Sequence, residues 1–241
     1  MKKNILKVLA LTSVTSLVLT GCFLKKLSQD EFLSRLDDVK GQLTLTNEKM
    51  NDIHINNKLN VNVYNYKEGE FYAYKMFALI LIVPVTEGEY IYKQDGKFYQ
   101  IKTHTDSKKD TKTEISEEQF NILMLERKQS MIDRLMMPVN TCEGLINGTT
   151  EQEYKSVKNT FKGSKKKLQF VSNVTFDVTT NEYNDETGVT EEKVEEKKGK
   201  FTITFESNLP KKYINKTDDG ETTWDYCYGK AELNLPEIAN S

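Results

Sequence analysis

Apolar residues recur along the chain with two different periods, and the change of period separates helices from strands. Phe32, Leu36 and Val39 follow one another at helical spacing behind a capping box that begins at Ser28. This pattern predicts a helix over 29–43.

From Ile53 onward the period becomes two, which is typical of strands. Leu59, Val61 and Val63 alternate with polar residues. The Asp-Gly pair at 95–96 favours a tight hairpin turn. The pattern predicts a four-stranded antiparallel meander, and Pro84 leaves open whether 71–83 is one strand or two. The predicted strands are a first one from Ile53 to a turn at 67–69, then 71–83, 87–93 and 97–105.

A second capping box at 116–119 opens another predicted helix, with apolar residues from Phe120 to Leu135 on its inner side. Pro138 is expected to end this helix. Another cap signature at 150–153 predicts a shorter helix that continues to about Phe161.

The remaining pattern predicts three long strands. One carries Leu168 to Val178, the chain turns at 186–188, and the next carries Phe201 to Phe205. The last shows Trp224, Tyr226 and Tyr228 on one side and later apolar residues on the other, which predicts a bulge at Gly229. The predicted fold class is α+β, a curved antiparallel sheet of about seven long strands with an N-terminal helix and a central helical insert packed on one face.

The amino-terminal segment has the pattern of a signal peptide. Lys2, Lys3 and Lys7 precede an apolar stretch from Val8 to Thr20. A bilayer-spanning helix needs about 20 apolar residues, so this stretch is too short to serve as one. We predict a signal peptide over residues 1–21.

The sequence Leu-Thr-Gly-Cys at 19–22 resembles the lipobox of bacterial lipoproteins. The resemblance implies that Cys22 receives a diacylglycerol and becomes the first residue after cleavage. We expect a lipid anchor and short tether over 22–27, and one domain over 28–241 at the extracytoplasmic face of the cell membrane. The alternative is an ordinary signal peptide in which Cys22 is incidental.

After removal of residues 1–21, the chain would carry 31 basic and 36 acidic residues, a net charge of −5. This interspersed, mildly acidic composition argues against nucleic acid and anionic lipid as electrostatic partners. Cys142 and Cys227 would remain besides the anchor. A disulfide and two free thiols are equally compatible with the sequence.

Residues 76–83 form an unbroken apolar run, and four methionines lie on the second predicted helix. A strand that is apolar on both sides needs cover on both faces, and methionine adapts to variable apolar ligands. These features favour either an ordinary core or an apolar-ligand site. The candidate ligand contacts are Phe77, Leu79, Leu81, Met124, Met131 and Leu135.

The order of anchor, helix, meander, helical insert and returning strands is similar to that of half-barrel lipid carriers of the LolA/LppX type. This resemblance implies a curved sheet with helices in its concave face and a hydrophobic cavity between them. It rests on element order, so no functional residue follows from it.

The sequence contains no nucleophile elbow, phosphate-binding glycine loop or zinc-binding motif. Neither His54 nor His104 has a partner at metal-ligand spacing, so we predict no enzyme, metal or cofactor. The aromatic residues 224–228 either pack inward or form a stacking platform, and the charged segment 191–200 predicts a solvated strand edge. The predicted function is apolar-ligand or lipid binding, and the alternative is an envelope protein that binds proteins or glycans.

Overall fold

The computed structural model describes residues 24–57, 62–80, 83–184 and 189–238. Within these ranges the chain forms two α-helices and twelve strands, which belong to one open antiparallel sheet. The predicted α+β class is confirmed. The predicted count of about seven strands is wrong, because short strands and strands of mixed polarity join the same sheet.

The helices are α1 (Gln29–Gln42) and α2 (Glu117–Asn147). The strands are β1 (Lys25–Lys26), β2 (Asp52–Asn57), β3 (Asn62–Lys67), β4 (Phe71–Ile80), β5 (Val83–Gln94), β6 (Lys97–Thr103), β7 (Thr111–Ile115), β8 (Ser156–Gly163), β9 (Lys167–Asn184), β10 (Val189–Glu206), β11 (Leu209–Thr217) and β12 (Gly220–Tyr228). Their order across the sheet is β1-β8-β9-β10-β11-β12-β2-β3-β4-β5-β6-β7. The last strand, β12, therefore pairs with the second, β2, in the middle of the sheet, and the short β1 lies at one edge. Neither α-helix of the described ranges carries the length and apolarity that a membrane crossing needs.

Helix α1 confirms the first predicted helix. The Ser28 side chain accepts a hydrogen bond from the Glu31 amide, at 3.1 Å, which satisfies a free donor of the first turn. Phe32, Leu36 and Val39 form its buried side.

Helix α2 begins where the second capping box predicts, because the Ser116 hydroxyl accepts a hydrogen bond from the Gln119 amide. The prediction that Pro138 ends this helix is wrong, since Pro138 lies inside it and is buried. Val139 and Leu145 continue the buried side beyond the proline, so packing outweighs the local preference of proline.

The predicted helix between 150 and 161 is also wrong, because residues 156–163 form strand β8. Val157 opposes Val174 and Phe161 opposes Phe170 on β9. This pairing supplies backbone hydrogen bonds and aromatic packing that a short isolated helix would lack.

The predicted meander is confirmed in order but not in its boundaries. The expected first strand is two antiparallel strands, β2 and β3, and its residues 58–61 lie outside the described ranges. Strands β4 and β5 pair as a hairpin, so the long apolar run does not form one strand through Val83. The turn at 95–96 is confirmed, with Asp95 at φ 51° and Gly96 at φ 76°.

Strands β9 and β10 confirm the predicted hairpin, although its predicted turn at 186–188 lies outside the described residues. The charged segment of β10 before Gly199 pairs only with β9, as a strand edge should. The predicted bulge at Gly229 is wrong. Strand β12 ends at Tyr228, and Gly229, at φ 69°, leads into a tail.

The two faces of the sheet are covered differently. Helices α1 and α2 pack on one face, here called the helix face, and form the main core with it. On the opposite outer face, the tail lies over a smaller cluster. That cluster contains Phe71, Ala73, Tyr90, Tyr92 and Ile101, with Ala231, Leu233 and Ile238 from the tail packed on it.

Candidate functional site

A groove of about 320 Å³ opens on the helix face between α2 and β12. The contributions of α2 are spaced three or four residues apart, so they lie on one side of the helix. The four α2 residues bring a hydroxyl, a carboxylate, a guanidinium and a thioether to one wall of the groove, and an indole from β12 forms the opposite wall. The groove is lined by Ser130, Asp133, Arg134, Met137 and Trp224.

The indole belongs to an aromatic row that crosses the middle of the sheet. The ring centroids of Tyr64 and Trp224 are 6.5 Å apart, and those of Tyr64 and Tyr74 are 4.8 Å apart. Both pairs are stacked, with interplanar angles of 17° and 20°. The guanidinium carbon of Arg134 lies 4.2 Å from the centroid of the Tyr64 ring, so α2 places a cation over the row.

A second arginine fixes α2 over the sheet beside this row. Arg127 binds both carboxylate oxygens of Glu89, at 2.8 and 3.1 Å. Its guanidinium also lies 5.8 Å from the Tyr72 ring centroid. Because a bidentate pair restrains orientation as well as distance, Arg127 holds the helix that presents Arg134.

Two polar groups on one turn of α2 lack the partners that such groups normally have. Arg134 Nε is inaccessible to solvent and has no hydrogen-bond partner within the described residues. Pro138 has no amide proton, so it cannot bond the Arg134 carbonyl oxygen. The guanidinium lies over the Tyr64 ring, and this contact accounts for the position of the inaccessible Nε. Only the other two nitrogens of Arg134 are candidates for contact with a polar ligand.

The Tyr74 phenol of the row is neutral at physiological pH. Burial, together with the neighbouring Tyr64, raises the pKa of Tyr74 to about 12. Burial likewise raises the pKa of Tyr72 above its ordinary value. The formal charges of the groove therefore belong to Asp133 and Arg134, one negative and one positive.

The structure does not bring the predicted apolar-ligand contacts together. Met124, Met131 and Leu135 are 4%, 0% and 0% exposed and pack in the main core. Phe77 is 42% exposed and shares its side of β4 with Phe71 and Ala73, on the outer face. Leu81 and the side chain of Leu79 lie outside the described part of the chain, as does Cys22.

The two remaining cysteines are both free thiols. Cys142 is buried in α2, and burial raises its pKa well above the ordinary value. Cys227 is half-buried on β12, where it opposes His54. The Nδ1 atom of His54 lies 2.7 Å from the Asn65 side-chain oxygen, which is a structural contact.

Sequence reasoning singled out two residues of the groove, Trp224 and Met137, the latter as one of four methionines on the second helix. It missed Ser130, Asp133, Arg134 and the tyrosines of the row. The sequence allowed the aromatic residues at 224–228 either to pack inward or to form a stacking platform, and each alternative holds for one of them. Tyr226 is fully buried, whereas Trp224 borders the groove. Tyr64 and Tyr74 lie in predicted strands, but nothing in the sequence aligns them with a strand about 150 residues later.

No group of three or more His, Cys, Asp or Glu residues in the described ranges is placed to hold a metal ion. No protein-family model matches the chain, and no curated protein or solved structure shows significant similarity to it.

Proposed function

We propose that this chain is a lipid-anchored binding protein on the extracytoplasmic side of a cell membrane, and that its groove binds a glycan. The observation that carries the proposal is the convergence of the Trp224 indole with Ser130, Asp133 and Arg134 in one groove. Small-ligand sites typically combine an apolar or aromatic wall with a few convergent polar groups.

A sugar ring matches this combination. Its C–H face can lie on the indole, while its hydroxyl groups donate to the Asp133 carboxylate and accept from the Arg134 guanidinium. Hydrogen bonds with one charged partner are stronger than neutral ones. The groove volume of about 320 Å³ falls at the lower end of the range for ligand sites, which suits a short saccharide unit.

We also propose that the open sheet curves as a half-barrel around α1 and α2. Lipid carriage is supported less well than glycan binding. A carrier needs free volume between the helices and the sheet, yet Met124, Met131 and Leu135 fill that space with core packing.

A second candidate function is docking of a protein partner. It is favoured by Ile122 and Leu125, which are 53% and 59% exposed and lie three residues apart on α2. Neighbouring exposed apolar side chains often mark interaction surfaces. Ile122→Ser with Leu125→Ser would reduce partner crosslinking if this surface is used, and would leave glycan binding unchanged.

Trp224 is the only tryptophan of the chain, so its fluorescence reports on the groove directly. We expect saccharides released from bacterial envelopes to change this fluorescence on titration. Arg134→Gln should weaken that binding about tenfold or more, because a hydrogen bond to a charged group is lost.

Asp133→Asn should also weaken binding, and Asp37→Asn, an exposed carboxylate on α1, is the matched control. Unchanged affinity in both groove variants would contradict the glycan proposal. A tightly bound apolar molecule, extracted into organic solvent from protein that lacks the anchor, would favour the carrier instead.

The anchor has its own test. Mass spectrometry of the purified protein should find a diacylglyceryl group on an amino-terminal Cys22, and Cys22→Ser should release the chain from membranes. A Cys22→Ser protein that fractionates with membranes as the natural chain does would contradict the anchor without bearing on the groove.

A further inference from the structure

A depression of about 340 Å³ lies on the outer face, across β8 to β11. It is on the opposite side of the sheet from the groove. Four lysines line it, Lys158, Lys198, Lys200 and Lys216, and all four are exposed. We call it the lysine depression.

Strand register aligns three of these lysines in one row. Lys158 opposes Asn173, Asn173 opposes Lys200, and Lys200 opposes Lys216. Adjacent strands are separated by about 4.8 Å, so the row is about 14 Å long. Lys198 lies two residues before Lys200 and therefore on the same face.

The lining carries four lysines and one carboxylate, that of Asp218, so it keeps a net positive charge. None of the four ammonium groups forms an ion pair with a carboxylate of the described residues. Lys200 directly opposes Lys216, and like charges in directly opposed cross-strand positions are destabilising. An anion between them would remove this repulsion.

Three carboxylates in or near the depression each have a partner in the protein. Asp218 lines the depression, and its carboxylate accepts a hydrogen bond from the Lys198 amide, at 2.8 Å. Asp177 and Glu196 bind Lys155, at 2.8 and 3.5 Å. The hydroxyl groups of Ser156 and Thr175 are 2.8 Å apart at the same site and add neutral hydrogen-bonding capacity.

We propose that the lysine depression binds a linear phosphodiester polymer without bases, such as a polyol-phosphate chain. A row of cations fits a chain of regularly spaced phosphates better than it fits one isolated anion. The lining contains no aromatic side chain, whereas proteins that bind single-stranded nucleic acid stack bases on aromatic rings. The polymer would lie along the row, across the strands.

The test measures binding of short poly(glycerol phosphate) to the full chain in detergent, over a series of salt concentrations. The double variant Lys200→Gln, Lys216→Gln should bind at least about tenfold more weakly at low salt and lower the salt slope by about 1.4. The control double variant Lys108→Gln, Lys109→Gln makes the same charge change at exposed positions of the short 3-10 helix Ser107–Lys109 and should bind as the natural chain does.

Thermal unfolding gives a second readout. Without polymer, the Lys200→Gln, Lys216→Gln variant should melt at the same temperature or higher, because a like-charge pair has been removed. Polymer at a concentration near the Kd of the natural chain should raise the melting temperature of the natural chain more than that of the variant. If the double variant does not fold, Lys158→Gln with Lys198→Gln tests the same depression.

Four results would overturn the proposal. The first is that the polymer does not bind at low salt, and the second is that the control variant loses as much binding as the Lys200→Gln, Lys216→Gln variant. The third is that inorganic phosphate competes with the polymer as effectively, per phosphate, as the polymer itself does. The fourth is that a single-stranded oligonucleotide or anionic vesicles bind equally tightly and through the same lysines.

Discussion

At the scale of single residues, Lys128 shows how α2 is tied to the sheet. It is 6% exposed, and its ammonium group binds the side-chain oxygen of Asn51 and a carboxylate oxygen of Glu68. The Tyr66 hydroxyl donates to the same carboxylate, at 2.8 Å. A buried charge requires such partners, because desolvation opposes it.

Because paired buried charges often contribute little beyond what an apolar side chain would, Lys128→Met should be less destabilising than Lys128→Ala. The methionine keeps the aliphatic packing, whereas alanine removes it and should cost about 2 kcal/mol. Urea denaturation followed by circular dichroism measures both. Equal losses would show that the charge pairing itself stabilises the fold.

The carboxylate of Glu68 should make stability depend on pH in the acid range. Burial opposes its ionisation, but hydrogen bonds from Lys128 and Tyr66 outweigh burial and hold its pKa below the ordinary 4.5. Since the folded pKa is the lower one, the contribution of Glu68 is present above pH 4.5 and is lost as pH falls through the folded pKa. Glu68→Gln should flatten this part of the stability curve, and the exposed Glu153→Gln should not. Parallel curves for the natural chain and Glu68→Gln would contradict the assignment.

At the scale of elements, helix α2 contributes residues both to the main core and to the groove. Its inner side carries Met131 and Leu135 into the main core, while an adjacent side presents Asp133 and Arg134 to Trp224. Pro138 lies in the following turn and leaves the Arg134 carbonyl without a helical donor. The helix therefore accepts a local defect where the candidate ligand site lies.

Pro138→Ala should restore the missing helical hydrogen bond and stabilise the protein by about 1 kcal/mol, since part of the intrinsic gain of about 3 kcal/mol is offset by lost packing. Thermal unfolding measures this effect. A less stable variant would show that the packing of the proline ring outweighs the missing hydrogen bond.

Elements with strong local signals were predictable from sequence. The capped starts of α1 and α2 and the Asp95–Gly96 turn follow from chemistry within a few residues. Strand β11 was not predicted, because Pro210 and the two lysines after it interrupt its alternation of apolar and polar residues, at a point where the register with β10 shifts. The groove could not be predicted, since it depends on the pairing of β12 with β2, which brings together residues far apart in the chain.

At the scale of the whole molecule, the two faces of one sheet offer different chemistry. The helix face carries the aromatic groove, and the outer face carries the lysine depression. An overall net charge of −2 conceals this segregation, because strand register gathers lysines that are dispersed in the sequence. Local binding depends on the charge of the surface that meets the ligand and not on the sum of charges over the chain.

Several tyrosines are buried in the core, which leads to a prediction about alkaline pH. Burial raises the pKa of Tyr213 to about 12 and raises that of Tyr226 as well. Because the folded pKa values exceed the ordinary 10, the contribution of these residues is fully present below pH 10 and is lost as pH rises towards 12. The free energy of unfolding, measured in urea at a series of pH values, should fall over this interval.

Tyr226→Phe separates this effect from lysine deprotonation. The buried Tyr226 hydroxyl has no hydrogen-bond partner within the described residues, so its removal should stabilise the protein by about 1 kcal/mol at neutral pH and reduce the alkaline slope. Tyr66→Phe is the matched comparison, because it removes a hydroxyl that donates to Glu68 and should destabilise the protein at neutral pH. If the native protein forms tyrosinate at pH 10 as readily as the urea-unfolded chain does, these phenols do not have the environment that the core gives them, and the alkaline loss of stability must come from the lysines.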